Sequence, residues 1–192
     1  MSRLVAAIRP GTLFVLDEAY FEFIGAEYPD GLRVLNRRLD LPWAVLRTFS
    51  KAYGLAGLRV GYAITANAGL ARAIRATLTP FNVNAAAQSA AVAALSDTAW
   101  TIETTSKLRQ DRAILADHIR WLGLKVIPSQ ANFLFIDLAI EAAPVAGILL
   151  QKGIVVKPWT EAGYANFIRV TIGTKEHNER FAKELGSALG LG

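Results

Sequence analysis

The chain has 192 residues, 53% of them hydrophobic and only 19% charged, enough apolar content for one or two domains with a sizeable core and too little charge for a disordered chain. It has no cysteine, which excludes disulfides and thiolate metal sites, and two histidines, His118 and His177, argue against a histidine-rich metal centre. The net charge of +5 (21 basic against 16 acidic residues) is scattered, with Arg37-Arg38 the one adjacent basic pair, so nothing marks a nucleic-acid partner.

The first apolar stretch, Leu4 to Ile8, is short of the roughly 7–15 residues of a secretory h-region. No run approaches the ~20 apolar residues of a membrane span. The expectation is a soluble, cytoplasmic protein with no membrane partner. Thr12–Leu16 then reads as a buried strand after the Pro10-Gly11 turn and ends on Asp17-Glu18. Trp43–Phe49 repeats the pattern and leads into Ser50-Lys51, and Leu58–Ile64 is a third run. Near-continuously apolar strands suit a sheet covered on both faces. Asn67–Leu78 and Ala85–Leu95 read as alanine-rich helices.

Asp97 opens a long helical pattern to Leu122, with Trp100, Leu108, Ile114, Leu115, Ile119 and Leu122 as its apolar positions. Such a length suggests a helix linking two lobes, with the boundary near Ser96, giving domains at 1–96 and 97–192. In the second lobe, Leu124–Ile127 and Asn132–Ile136 look like neighbouring strands joined across Pro128-Ser129. Ala142–Lys152 looks helical, Ile154–Val156 and Phe167–Ile172 look like strands, and Lys175–Leu189 closes as a helix. The fold class expected is α/β, a lobe of mainly parallel sheet followed by a smaller α+β lobe.

The sharpest local feature is Thr48-Phe49-Ser50-Lys51, followed by Ala52 to Arg59. A lysine closing a buried strand is expected to be partly desolvated, which favours the neutral amine that condensation with an aldehyde requires. Ser50 and Arg59 are candidate phosphate donors, and the glycines between them let backbone approach closely. On spacing alone, a surface lysine after a strand remains open. Gly54 and Gly57 lack the G-x-G-x-x-G spacing of a dinucleotide site. Asp17-Glu18-Ala19-Tyr20 places a carboxylate where open α/β sheets bind ligands, suited to a protonated pyridine nitrogen, with Tyr20 beside it as a donor. A strand-ending acid with a boundary aromatic is the other reading.

Four segments occur in order: Asp17-x-x-Tyr20, TFSKAYGLAGLRVGY from Thr48, PFNVNAAAQ from Pro80 to Gln88, and FIRVTIGT from Phe167 to Thr174. Together they resemble the fold-type I pyridoxal-phosphate-dependent aminotransferases, over about Thr12 to Leu189. The ending GIVVKPWTEAGYANFIRVTIGT points to the histidinol-phosphate aminotransferase branch. The resemblance implies a pyridoxal 5'-phosphate enzyme that moves an amino group between glutamate and imidazole-acetol phosphate in histidine biosynthesis, as a homodimer. It makes Lys51 the lysine that holds the cofactor and shuttles the substrate proton. It makes Asp17 the partner of the pyridinium nitrogen and Tyr20 that of the phenolic oxygen, and gives the phosphate to Ser50 and Arg59. Arg169 resembles the arginine that grips the substrate's anionic end, its planar fork suiting carboxylate and phosphate alike.

Two departures stand out. Lys157 occupies a position where many relatives carry arginine, keeping the charge but not the bidentate geometry. Family members also extend well upstream of the Asp17 strand, so the chain corresponds to their C-terminal part, with a sheet edge and an apolar face expected to be exposed. The alternatives are an aromatic-amino-acid aminotransferase of the same family, a threonine-phosphate decarboxylase, or a non-catalytic fragment or one part of a split enzyme.

Overall fold

A computed structural model describes residues 1–191. The chain forms two compact units, Met1–Glu103 and the part from Thr104 onward. The division falls inside one long helix, where the sequence alone suggests Ser96.

In the first unit, α1 (Ser2–Ala6), β1 (Phe14–Asp17), α2 (Gly31–Leu35), β2 (Trp43–Thr48) and β3 (Gly61–Thr65) precede α3 (Ala68–Ala76) and α4 (Ala85–Ser96). The sheet order is β1-β2-β3. β1 and β2 run parallel, from Phe14 opposite Trp43 to Asp17 opposite Leu46, and the crossover between them carries α2, as parallel pairing requires. β3 lies antiparallel to β2, so the sheet is mixed rather than mainly parallel. The reason is the segment after β2, which folds back on itself. Phe49 N–H donates to the Val60 carbonyl (3.2 Å) and Leu55 N–H to the Phe49 carbonyl (3.0 Å), returning the chain beside the strand it has just left. Gly61 begins the return because a Cβ there would stand 2.8 Å from the Arg47 carbonyl oxygen.

One face of this sheet builds a core. Trp43 and Val45, with Phe14, Leu16 and Ile64 partly buried, pack on Val5, Leu35 and Leu41. On the other face Val15 is 50% and Leu46 38% exposed. The two-sided cover expected from the apolar runs is therefore one-sided within this unit, because α1 and α2 both pack on the same face. A second cluster joins Phe49 and Val60 to Ala87 and Ala91 of α4. Alanines make this contact close, and the Asn84 side chain caps the helix by accepting from Ala87 N–H (2.8 Å). Asn67 caps α3 in the same way, through Leu70 N–H (2.9 Å).

Helix α5 (Thr98–Trp121) contains the division between the units. In the second unit β4 (Lys125–Ile127), β5 (Phe133–Asp137), α6 (Ala142–Gln151), β6 (Lys157–Pro158), β7 (Phe167–Thr171) and α7 (Lys175–Ala188) follow it. The strands are all antiparallel, in the order β4-β5-β7-β6. The core combines Leu115 and Ile119 of α5 with Leu134, Ile136, Ile168 and Val170 of the sheet and Leu149, Phe181 and Leu185 of α6 and α7.

Two sequence expectations shift here. Ile154–Val156 is not a strand: Gly153, at φ 74°, and Ile154 donate N–H groups to the last carbonyls of α6, so this stretch ends the helix and pairing begins at Lys157. Along α5, Ile114 is 58% and Trp100 46% exposed, whereas Arg112 is buried. The arginine reaches the turn before β5, donating to the Ala131 carbonyl (2.8 Å) and to Gln130 (3.0 Å).

Candidate functional site

Because β1 and β2 are parallel neighbours in register, their C-terminal ends lie at the same end of the sheet. There β1 delivers Asp17 and β2 runs on to Ser50 and Lys51. Glu18 N–H donates to the Leu46 carbonyl (2.9 Å), extending the ladder by one bond. The exposed Asp17 carboxylate accepts from Ala19 N–H (2.9 Å), a local turn that ends the strand. Tyr20, half-buried, then opens a 3-10 turn over Phe21–Phe23.

An ion pair beneath this turn holds it in place. The Glu18 carboxylate accepts from Arg47 Nε (3.0 Å) and Nη2 (2.8 Å), and its second oxygen accepts from Gly31 N–H (3.1 Å). Both side chains are nearly buried, at 11% and 10% exposure. Asp30 lies 3.5 Å from the same guanidinium, and the Arg47 Cζ sits 3.6 Å from the Phe21 ring centroid, close enough for a cation–π contact. Burial alone would lower the pKa of Arg47, but its bonds to Glu18 and the nearby Tyr62 phenol outweigh that and raise it above the ordinary arginine value. The sequence carried a signal for this pair, an arginine inside an otherwise apolar strand, which needs a partner to be buried.

At the exit of β2, Thr48 Oγ1 accepts from Ser50 N–H (3.1 Å) and Gly54 N–H donates to the Lys51 carbonyl (3.0 Å). That turn needs Gly54 at φ 70°. Lys51 is exposed, not desolvated as a strand-end lysine was expected to be. It lies beyond the last β2 residue, in the turn rather than in the strand. Its Nζ stands 5.5 Å from the centroid of the Tyr20 ring. Ser50 is half-buried beside it. Arg59, exposed, takes the left-handed conformation (φ 53°) and donates to the Ala56 carbonyl (2.9 Å). The structure thus brings Lys51 to Tyr20, sets Asp17 at the end of the adjoining strand, and puts Ser50 and Arg59 on the loop that Lys51 opens.

Arg169 and Lys157 belong to the second unit. They face each other across β7 and β6, and Arg169 also faces Phe135 across β5. Residues opposite one another project to the same face of a sheet. That face is aromatic: Arg169 Cζ lies 5.1 Å from the Phe133 ring and 5.9 Å from Trp159, and Lys157 Nζ lies 4.4 Å from Trp159. Sequence reading had not assigned Phe133, Phe135 and Trp159 to this site. The alternation in Phe133-Leu134-Phe135-Ile136 was the available sign, since it sends the two phenylalanines to the face opposite the core. Among the described residues, no helix is long and apolar enough to cross a membrane, and no group of three or more His, Asp or Glu side chains is placed to hold a metal ion.

Comparison with known proteins places the fold in a family. The chain is 42% identical to histidinol-phosphate aminotransferase 3 of Rhizobium meliloti over all of its own length and 52% of the relative's. It is 45% identical to histidinol-phosphate aminotransferase 2 of Pseudomonas aeruginosa, over 98% of this chain and 51% of that protein. The crystal structure of histidinol-phosphate aminotransferase from Sinorhizobium meliloti in complex with pyridoxal-5'-phosphate superposes with a TM-score of 0.86 at 28% identity, covering 98% of this chain and 52% of the other. The chain therefore spans about half the length of these relatives and shares their fold over that part. Residues 3–185 match the family described as aminotransferase class I and II, and the chain belongs to that family.

Proposed function

We propose that this chain carries the lysine-bearing part of a pyridoxal-phosphate-dependent aminotransferase that exchanges an amino group between glutamate and imidazole-acetol phosphate in histidine biosynthesis. The observation that carries the reading is the parallel pairing of β1 and β2, which sets Asp17 and Lys51 at one end of the sheet with the Tyr20 ring 5.5 Å from the Lys51 amine. The branch rests on relatives named for histidinol phosphate at 42% and 45% identity.

The donor set fits the cofactor. Pyridoxal 5'-phosphate has a basic ring nitrogen, a phenolic oxygen, an aldehyde and a phosphate. The chain offers a carboxylate in Asp17, a phenol in Tyr20, an amine in Lys51, and a hydroxyl and guanidinium in Ser50 and Arg59. When bound, the cofactor supplies the electron sink that makes the substrate's α C–H acidic. Asp17 keeps the ring nitrogen protonated by charge pairing, and Tyr20 donates to the phenolic oxygen. The Lys51 amine takes the α proton and returns it as the amino group moves. Arg169 and Lys157 receive the anionic end of the substrate. A homodimer in the cytoplasm is the working assembly, checked by sedimentation of the purified chain.

The test is the absorbance spectrum of the purified chain with pyridoxal phosphate, beside Lys51→Ala. The expected result is a lysine-dependent band near the visible edge that changes when glutamate is added. Absence of any Lys51-dependent band would refute a working cofactor site in this chain by itself. Turnover of aromatic donors in preference to histidinol phosphate would move the assignment to an aromatic-amino-acid aminotransferase.

A further inference from the structure

The Lys157–Arg169 face has a feature that the proposed substrate roles do not use. Both cations lie within 6 Å of one indole, that of Trp159: the ammonium at 4.4 Å and the guanidinium carbon at 5.9 Å from its ring. The residue is fixed at its backbone and at its ring. The Trp159 backbone N–H donates to the Phe167 carbonyl (2.9 Å), and the indole meets Phe135 edge-on at 5.3 Å, while Phe135 stacks on Phe167 at 4.6 Å. Among the described residues, no ion pair involves either cation.

Two like charges drawn to one sheet face repel each other, and a long lysine side chain would turn into solvent if left free. An indole face attracts both. It keeps the ammonium beside the guanidinium without neutralising either charge, as a carboxylate would.

We propose that Trp159 is a positioning residue that holds Lys157 beside Arg169, so that the pair accepts a phosphomonoester in preference to a carboxylate. The charge count supports this class of ligand. A phosphomonoester carries about −1.5 to −2 at neutral pH and has three acceptor oxygens, enough to engage a fork and a point charge together. A carboxylate is satisfied by the arginine fork alone. Lysine in place of arginine at position 157 then costs little, because the indole restores the orientation that a planar fork would have supplied. The inference rests on the reading of Arg169 and Lys157 as the anion site.

The experiment titrates the full chain with phenyl phosphate and with benzoate, a matched pair of aryl anions, followed by calorimetry. For the wild type the expected preference for the phosphate is about fivefold or more, the size of one added exposed charge contact. Trp159→Leu and Lys157→Ala should each erase that preference and leave benzoate binding within about twofold, while Trp159→Phe retains most of it. A Trp159→Leu chain that keeps the preference overturns the positioning role. So does one that weakens both anions equally, since that marks a structural role. If Trp159→Leu fails to fold, Lys157→Ala decides: an unchanged ratio overturns the proposal. Arg169→Leu tests the underlying reading separately, because it should weaken both anions. If it alters neither, or if the wild type binds neither, the anion site itself is refuted.

Discussion

Replacing Arg47 by methionine tests whether the Glu18–Arg47 pair holds the end of β1. The substitution removes two charge-assisted bonds to Glu18, at 3.0 and 2.8 Å, and the cation stacked on Phe21. It leaves a carboxylate only 10% exposed with the Gly31 N–H as its remaining donor at 3.1 Å. Breaking a buried pair from one side costs about 3–5 kcal/mol. The slight solvent access of both groups places this case near the lower end, at about 3 kcal/mol. Converting both partners, as Glu18→Gln with Arg47→Met, avoids the stranded charge and should cost about half as much, so with Glu18→Gln as the other single variant the double-mutant cycle should show a coupling of at least about 1.5 kcal/mol. The assay is urea unfolding read from Trp43, buried in the core of the first unit, with the other three tryptophans replaced by phenylalanine. For a slope of about 1–3 kcal/mol/M, the single variant's midpoint should fall by about 1–3 M. A loss below about 1 kcal/mol, or a coupling indistinguishable from zero, would refute the view that this pair anchors the segment bearing Asp17 and Tyr20.

The remaining predictions concern the same unit. Gly61→Val places a side chain against the Arg47 carbonyl oxygen, 2.8 Å from the Cβ position, and should cost about 1–3 kcal/mol, with faster hydrogen exchange along β2 and β3 as the local sign. Asn84→Ala removes the cap that accepts from Ala87 N–H and should lower stability by about 1 kcal/mol, seen as a fall in the thermal midpoint. Glu22 has a buried, unpartnered Oε2, and burial above all raises its carboxyl above the ordinary glutamate value, against its backbone bond and Arg47, which lower it. Its folded state holds the proton more strongly than its unfolded state, so this contribution is complete below the ordinary glutamate pKa and is lost as pH rises through the raised value. Glu22→Gln should therefore gain on the wild type across that window and level off above it. Unfolding free energies that keep a constant difference from pH 4 to 8 would contradict the assignment.

Much of the local structure was legible in the residues. The three apolar runs, the alanine-rich helices and the turn glycine at 54 each express short-range physics, set by side chains a few positions apart. So does the place of Lys51, in the glycine-bearing loop that follows a strand. What tertiary structure decided depends on residues far apart in sequence. The return of β3 antiparallel to β2 is set by how the 49–60 loop bonds to itself. The exposure of Lys51 follows from its place in a turn, and that of Val15 and Leu46 on the second face of the first sheet from where α1 and α2 come to rest. Arg47 shows its partner only once Glu18, 29 residues earlier and just past the end of β1, lies beside it. The meeting of Lys157, Arg169 and Trp159 likewise waits on the register of β6 against β7. Periodicity states which residues turn inward; it does not state which strand they will meet, because that choice is made by packing free energy summed over the whole unit.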